Sequence, residues 1–313
     1  MPIVPGHEAS GIIEEVGSPE SSFAPGDQVV LVYQPQCGTC PCCIAGDGHL
    51  CMPGLAANRS GALLTGGPRL SFNGARIHHH MGLSAFAELA VVSEQSLVRV
   101  DKELPAEIAA LFGCAAMCGA GSVINTGGVR AGETVAIAGI GGVGSSAILG
   151  AVLAGARRII AIDPDPQKRK LARELGATDV VDAGAEAAAE IVELTDGGVD
   201  CALESAGVLE AFETAYASAK RGGRVVTVGL VSPKTPFALD VAAQVTSAKA
   251  LHGSYMGSCN PQLDIPKFVG LYKSGKFPVD KLITKRLALS DINVALDNMA
   301  DSRELRQVLT PQG

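Results

Sequence analysis

Three glycines, Gly139, Gly141 and Gly144, stand in the spacing G-x-G-x-x-G directly after the apolar, β-branched run Thr134 to Ala138. That run has the length and composition of a strand, and the Ala- and Leu-rich segment after the glycines reads as a helix. Each residue type has a physical task in such a unit. The first glycine makes the tight turn, the second lets backbone approach a pyrophosphate, and the third lets helix and strand pack closely. The helix start offers unpaired N–H groups and a positive dipole end to phosphates, so Gly142 and Val143 join the three glycines as candidate contacts. A second apolar run, Arg158 to Ile162, ends on Asp163, nineteen residues past Gly144. An acid there accepts hydrogen bonds from both adenosine ribose hydroxyls and repels a 2′-phosphate, which favours NAD over NADP. Asp165 adds to that repulsion.

A second constellation lies upstream. Cys37, Cys40, Cys43 and Cys51 follow the pattern C-x2-C-x2-C-x7-C. Spacings this short let a loop fold back and present four thiolates tetrahedrally to Zn²⁺. Four protein ligands close the coordination sphere, so this zinc is structural and staples a loop with little apolar material of its own. Cys42 falls outside the spacing. The triplet His78-His79-His80 has the chemistry to bind a metal, but its composition favours a loop near a substrate mouth or plain surface.

The elements that must position these groups follow from pattern. At 313 residues, with 47% hydrophobic and 18% charged residues, the chain is long enough for two ordinary domains. A net charge of −7 argues against a nucleic-acid or anionic-membrane surface. No signal peptide opens the sequence, and nine cysteines without one suggest metal binding in the cytoplasm before disulfides. Val135 to Ala156 is twenty-two residues without a charge, but its six glycines and the absence of flanking aromatics argue against a membrane span.

Short strands divided by Gly and Pro turns predict a β-rich domain first: Gly11 to Val16, Gln28 to Tyr33, Phe86 to Val92 and Ser96 to Val100. Leu55 to Gly82 reads as irregular, Pro105 to Gly113 as a helix. The small residues from Cys114 to Ser122 suit close packing, in this reading against a cofactor. From Asp163 onward strands and helices alternate. Helices are expected at Gln167 to Leu175, Ala185 to Thr195 and Leu209 to Ser218, with strands at Asp179 to Val181, Asp200 to Glu204, Arg224 to Val228 and Ala250 to Ser254. That alternation implies an α/β fold with a doubly wound parallel sheet whose ligands sit at the strands' carboxyl ends, near Val228. Helices at Lys267 to Ser274 and Asp291 to Met299 and a strand at Arg306 to Thr310 close the chain.

The motifs GHEASGIIEEVG (from Gly6), the four-cysteine lobe, Phe112-Gly113-Cys114, GIGGVG (from Gly139) and Asp163 occur in that order. In this the chain resembles the zinc-dependent medium-chain alcohol dehydrogenases, and the stretch HHHMGLSAFAELAVV resembles their formaldehyde- and aryl-alcohol-type branch. The resemblance implies a GroES-like catalytic domain, residues 1–115 and 257–313, and a Rossmann domain for NAD, residues 116–256. It implies a catalytic zinc held by His7 and Cys114, with Glu8 beside the metal. It further matches Lys168 to the adenosine ribose, Val228 to the nicotinamide amide, Arg306 to the pyrophosphate, and Cys118 to a position beside the nicotinamide. The implied reaction is hydride transfer between a primary alcohol or aldehyde and NAD(H), in a homodimer or homotetramer. Family members carry several dozen residues ahead of the matching PGHE motif, including a further zinc cysteine. The chain begins at Met1, which predicts weak or absent turnover as it stands; a non-catalytic dinucleotide-binding protein keeping only the structural zinc is the alternative.

Overall fold

The apolar runs that alternate with helices from Thr134 onward pair into one sheet. In the computed structural model, which describes residues 2–301 and 304–311, the chain divides into two compact units. One comprises Met1–Met117 and Cys259–Gly313, the other Cys118–Ser258; Met1 and Gly313, the outer bounds of the expected catalytic domain, lie outside the described residues.

In the second unit six parallel strands lie side by side in the order Ala250–Gly253, Ala219–Thr227, Val199–Glu204, Thr134–Ala138, Arg158–Ile162, Asp179–Val181. Numbered along the chain this is 6-5-4-1-2-3, the doubly wound dinucleotide-binding order. Its switch point falls between Thr134–Ala138 and Val199–Glu204. The strands end nearly in line: Ala138 is abreast of Ile162 on one side and of Glu204 on the other, and Glu204 is abreast of Thr227. Every residue of Thr134–Ala138 is buried, as expected of a strand covered by helices on both faces. Ala136, Ala138, Ile160, Ile162, Val199, Ala202 and Val225 pack with Ile191, Phe212 and Ala215 into one core.

The long apolar stretch resolves into that strand and the helix Gly142–Leu153. Among the described residues no helix is long and apolar enough to cross a membrane. The small residues of the Ala115–Gly121 helix meet protein rather than open space: a Cβ at Gly119 would fall 2.2 Å from the Val143 carbonyl oxygen. A helix at Val241–Ser247 carries no inward apolar pattern, since Val241 and Val245 are exposed; the Asp240 carboxylate caps it by accepting from the Ala243 N–H at 3.0 Å.

In the first unit Ala9–Ile12, Gln28–Leu31 and Leu97–Arg99 form an antiparallel sheet. The first of these strands starts and ends earlier than Gly11 to Val16. Two expectations fail here. Leu55 to Gly82 is ordered: a helix Met52–Ser60 is followed by the hairpin Leu70–Phe72 and Ala75–His79, against which Ile3–Val4 pairs in parallel. Its turn is Asn73-Gly74, both left-handed (φ 50° and 76°), the two-residue turn that closes a hairpin. Conversely, Phe86 to Val92 joins no sheet. The N–H groups of Ala85 and Phe86 bond to the Gly6 and Pro5 carbonyls, and beyond them Leu89 and Val91 are exposed without a ladder. A strand exists only where a neighbour supplies its hydrogen bonds.

The helix expected to begin after Pro266 starts five residues before it, at Pro261, and runs to Lys273. The Asn260 side chain accepts from the Gln262 N–H (3.2 Å), while Asp264 accepts from the Asn260 N–H (2.8 Å). This reciprocal cap holds the first turn, where a proline costs little. Ile283–Ala288 and Arg306–Thr310 pair in parallel and end the chain.

Asp179, on the outermost strand of the parallel sheet, accepts from Arg158 Nε and Nη2 at 2.8 and 2.9 Å. This fork pulls its carboxyl from the ordinary aspartate value of 3.8 down to about 2. A depressed folded-state value contributes stability above the unfolded pKa that is lost as pH falls. Asp179→Asn should therefore cost about 1–2 kcal/mol at neutral pH. Urea unfolding of the two proteins at stepped pH should show that gap closing between about pH 4 and pH 2.

Candidate metal and dinucleotide sites

Cys37, Cys40 and Cys43 lie on a loop that turns into the short helix Pro41–Ile44, and Cys51 caps the start of Met52–Ser60. The four sulfurs lie within 4.8 Å of one another, with Cys37–Cys43 and Cys40–Cys51 each at 4.0 Å. A tetrahedron of thiolates at about 2.3 Å from zinc has edges of roughly 3.8 Å, so the group needs almost no adjustment to hold that ion. Backbone N–H groups already point at the sulfurs: Cys40 to Cys37 (3.3 Å), Cys37 to Cys51 (3.3 Å) and Gly54 to Cys51 (3.4 Å). The N–H groups of Thr39 and Cys40 bring the Cys37 thiol down to about 6, whereas burial pushes Cys43 up to about 12. A divalent cation offsets the cost of collecting these charges. Among the described residues this is the one group of three or more such side chains close enough to share an ion, and Cys42 is not in it.

The glycine turn occupies the carboxyl end of Thr134–Ala138. A Cβ on Gly144 would lie 1.8 Å from the Gly139 carbonyl oxygen, so the helix can approach the strand this closely only with glycine there. Gly141 precedes the helix Gly142–Leu153 and no side chain caps it. The first-turn N–H groups, Gly142 and Val143 among them, therefore face outward for an anion. Asp163, only 5% exposed at the end of Arg158–Ile162, accepts from the Ile140 N–H (2.7 Å) and the Asp165 N–H (2.9 Å). Its carboxylate thus pins the glycine turn and keeps further lone pairs for a ligand. Asp165 caps the helix Pro166–Leu175 through the Gln167 N–H, which sets Lys168 half-buried on the first turn. Val228 lies just past the end of Ala219–Thr227, its N–H held by the Glu204 carbonyl at 3.0 Å.

A third cluster lies in the first unit. The His7 and Cys114 side chains hydrogen-bond to each other, and that contact raises the histidine's pKa. An imidazole nitrogen and a thiol converging in this way are two of the donor types zinc takes, so the pair fits a metal. Glu8 accepts from the Ala115 N–H (3.2 Å), forms an ion pair with Arg306 and adds to the rise in the His7 pKa. Glu8 in turn raises the Arg306 pKa. Arg306, matched by resemblance to the pyrophosphate, thus lies on the terminal strand against Glu8. The His7 ring is flanked edge-on by His80 (5.2 Å between centroids) and Tyr33 (5.6 Å).

The histidine triplet is not a loop. His78 and His79 belong to the hairpin strand, His79 is buried and accepts from the Arg69 N–H, and His80 lies against His7. Alternation along an extended chain, which sends His78 and His80 to one side and His79 to the other, was the available signal. Glu204, fully buried at a strand end, gave no signal of its own beyond being an acid in an apolar run.

Comparison with known proteins identifies the family. Residues 1–102 match the model of the alcohol dehydrogenase GroES-like domain, and residues 142–274 that of the zinc-binding dehydrogenases. An NDMA-dependent alcohol dehydrogenase of Amycolatopsis methanolica is 40% identical over 99% of this chain and 84% of its own length. An S-(hydroxymethyl)glutathione dehydrogenase of Synechocystis sp. is 36% identical over 99% of this chain and 85% of its own. Among solved structures, benzyl alcohol dehydrogenase from Acinetobacter calcoaceticus superimposes with a TM-score of 0.89 at 34% identity, covering 99% of this chain and 84% of that one. The chain belongs to the zinc-dependent medium-chain alcohol dehydrogenase family, oxidoreductases that work with zinc and NAD.

Proposed function

We propose that this chain interconverts primary alcohols and aldehydes with NAD(H), using His7 and Cys114 as ligands of a catalytic zinc and Cys37, Cys40, Cys43 and Cys51 as ligands of a structural one. The observation that carries this reading is the convergence of His7 and Cys114, remote in sequence, beside the ion pair of Glu8 and Arg306. Zinc bound there supplies Lewis acidity toward an alcohol oxygen, and NAD supplies the hydride acceptor.

The chain's own residues do the rest. His7 and Cys114 share a proton that must leave when a cation takes its place, so metal affinity rises with pH. Glu8, neutralised by Arg306 and anchored on the Ala115 N–H, holds the segments bearing His7 and Cys114 together. Gly139, Gly141, Gly142, Val143 and Gly144 bind the pyrophosphate through backbone, and Asp163 and Lys168 the adenosine ribose; Val228 receives the nicotinamide amide.

The relatives' names suggest two first substrates, benzyl alcohol and S-(hydroxymethyl)glutathione. A cytoplasmic setting suits a lobe that needs reduced cysteines. A homodimer or homotetramer built along the edge strand Ala250–Gly253 suits that strand's open side and the 43% exposure of Leu251.

NADH formation from either alcohol, followed by absorbance, tests the reading directly, and no rate from zinc-loaded protein would sink it. His7→Ala and Cys114→Ser should each lose at least about a hundredfold in turnover and one zinc per chain while still binding NADH, because a direct ligand matters more than its supports. Cys40→Ser should lose the other zinc and lower the melting temperature, with NADH binding kept in what remains folded. Asp163→Asn should raise the KM for NAD roughly tenfold, the loss of one charged hydrogen bond, and narrow the preference over NADP. An unchanged preference would remove Asp163 from the adenosine site.

A further inference from the structure

The acid at the end of Val199–Glu204 has no assigned task, yet it is fully buried. A carboxyl group is rarely placed there unless its oxygens are all engaged. Both are. Oε1 accepts from the Gly207 N–H at 2.6 Å and Oε2 from the Thr227 hydroxyl at 2.7 Å. The backbone of the same residue takes the N–H of Val228 at 3.0 Å. The side chain therefore ties the turn Ser205–Ala206–Gly207 to the end of the neighbouring strand, and the backbone carbonyl of the same residue holds the segment Val228–Leu230 that follows it. The join is tight: a Cβ at Gly229 would fall 2.5 Å from Glu204 Oε1 and 2.4 Å from the Gly207 nitrogen.

The tied turn also reaches the opposite neighbour. Ser205 donates from its backbone to the Ala138 carbonyl (2.9 Å) and from its hydroxyl to the Gly139 carbonyl (2.8 Å). Ala206 fills the space beside Gly139. Three strand ends at the switch point are thus joined through one turn: the Glu204 carboxyl group fastens it to the end of Ala219–Thr227, and Ser205 fastens it to the end of Thr134–Ala138. In a doubly wound sheet the two halves of a dinucleotide lie on opposite sides of that point. Asp163 stands on the adenosine side, which leaves Ser205–Gly207 and Val228–Leu230 on the nicotinamide side.

We infer that Glu204 is a positioning residue for the nicotinamide half of NAD: it sets the height and separation of the two backbone segments on which the ring would rest, without touching the ring. The inference rests on the NAD reading above. A turn free to shift would leave the ring bound in several poses, and hydride transfer is sensitive to misplacement of about 1 Å.

Glu204→Gln and Glu204→Ala separate position from bulk. Glutamine keeps both bonds, its carbonyl accepting from Gly207 and its amide donating to the Thr227 hydroxyl oxygen; alanine loses both. With benzyl alcohol and NAD, Glu204→Ala should raise the NADH dissociation constant and the KM for NAD about tenfold or more and lower kcat. The KM for alcohol and the zinc content should stay within about twofold, and Glu204→Gln should return to within about threefold of wild type. Thr227→Val, which removes one of the two bonds and preserves shape, should fall between them; it carries the test if the alanine variant is recovered unfolded. Wild-type NADH affinity in both Glu204→Ala and Thr227→Val would overturn the inference, as would a glutamine variant as impaired as alanine. Failure of the wild-type protein to bind NADH would instead overturn the NAD reading on which it stands.

Discussion

The fold around the dinucleotide site turns on one contact in which backbone meets backbone with no side chain between. At Gly144 the first turn of a helix lies against the carbonyl of Gly139, and even a methyl group would overlap that oxygen. The contact draws the helix start up to the strand end, so its unpaired N–H groups converge where an anion can collect them. The strands of the second unit end nearly in line, so the turns after Ala138, Ile162, Glu204 and Thr227 share one rim.

Buried and half-buried acids hold that rim and the segments bearing His7 and Cys114 in shape. Asp163 accepts the Ile140 N–H, Glu204 the Gly207 N–H, and Glu8 the Ala115 N–H. In each case a carboxyl group satisfies a backbone donor in an irregular segment beside a functional residue. Regular structure cannot supply acceptors to such segments, and an unsatisfied buried N–H is costly. An acid placed there removes that cost and fixes the segment's position at the same time. The price is local rigidity, which suits a site that must hold two reacting groups in register.

Two parts of the chain are stabilised by different physics. The sheet of the second unit rests on a continuous apolar core, from Ala136 and Ile160 through Phe212 to Val225. The cysteine lobe has no such core: the helix Pro41–Ile44 buries none of its residues. There four sulfurs and the N–H groups aimed at them take the place of apolar contact, and a cation held by those sulfurs would close the loop.

What the residue order determined by itself was everything governed by local spacing. The glycine turn, the acid nineteen residues on, the strands and helices of the doubly wound sheet and the four-cysteine set all lie within short windows, where period and spacing carry the physics. Tertiary structure decided what depends on a partner far along the chain. Phe86 to Val92 alternates like a strand but finds no ladder, whereas Leu70–Phe72 and Ala75–His79 pair despite their polar composition, and the Asn73-Gly74 turn between them was the legible clue. Arg306 meets Glu8 across 298 positions, and His80 meets His7 across 73, distances no periodicity can report. Glu204 shows the same division: its place at a strand end was readable, but the donors that hold its carboxyl group come from a turn and a neighbouring strand that only folding brings to it.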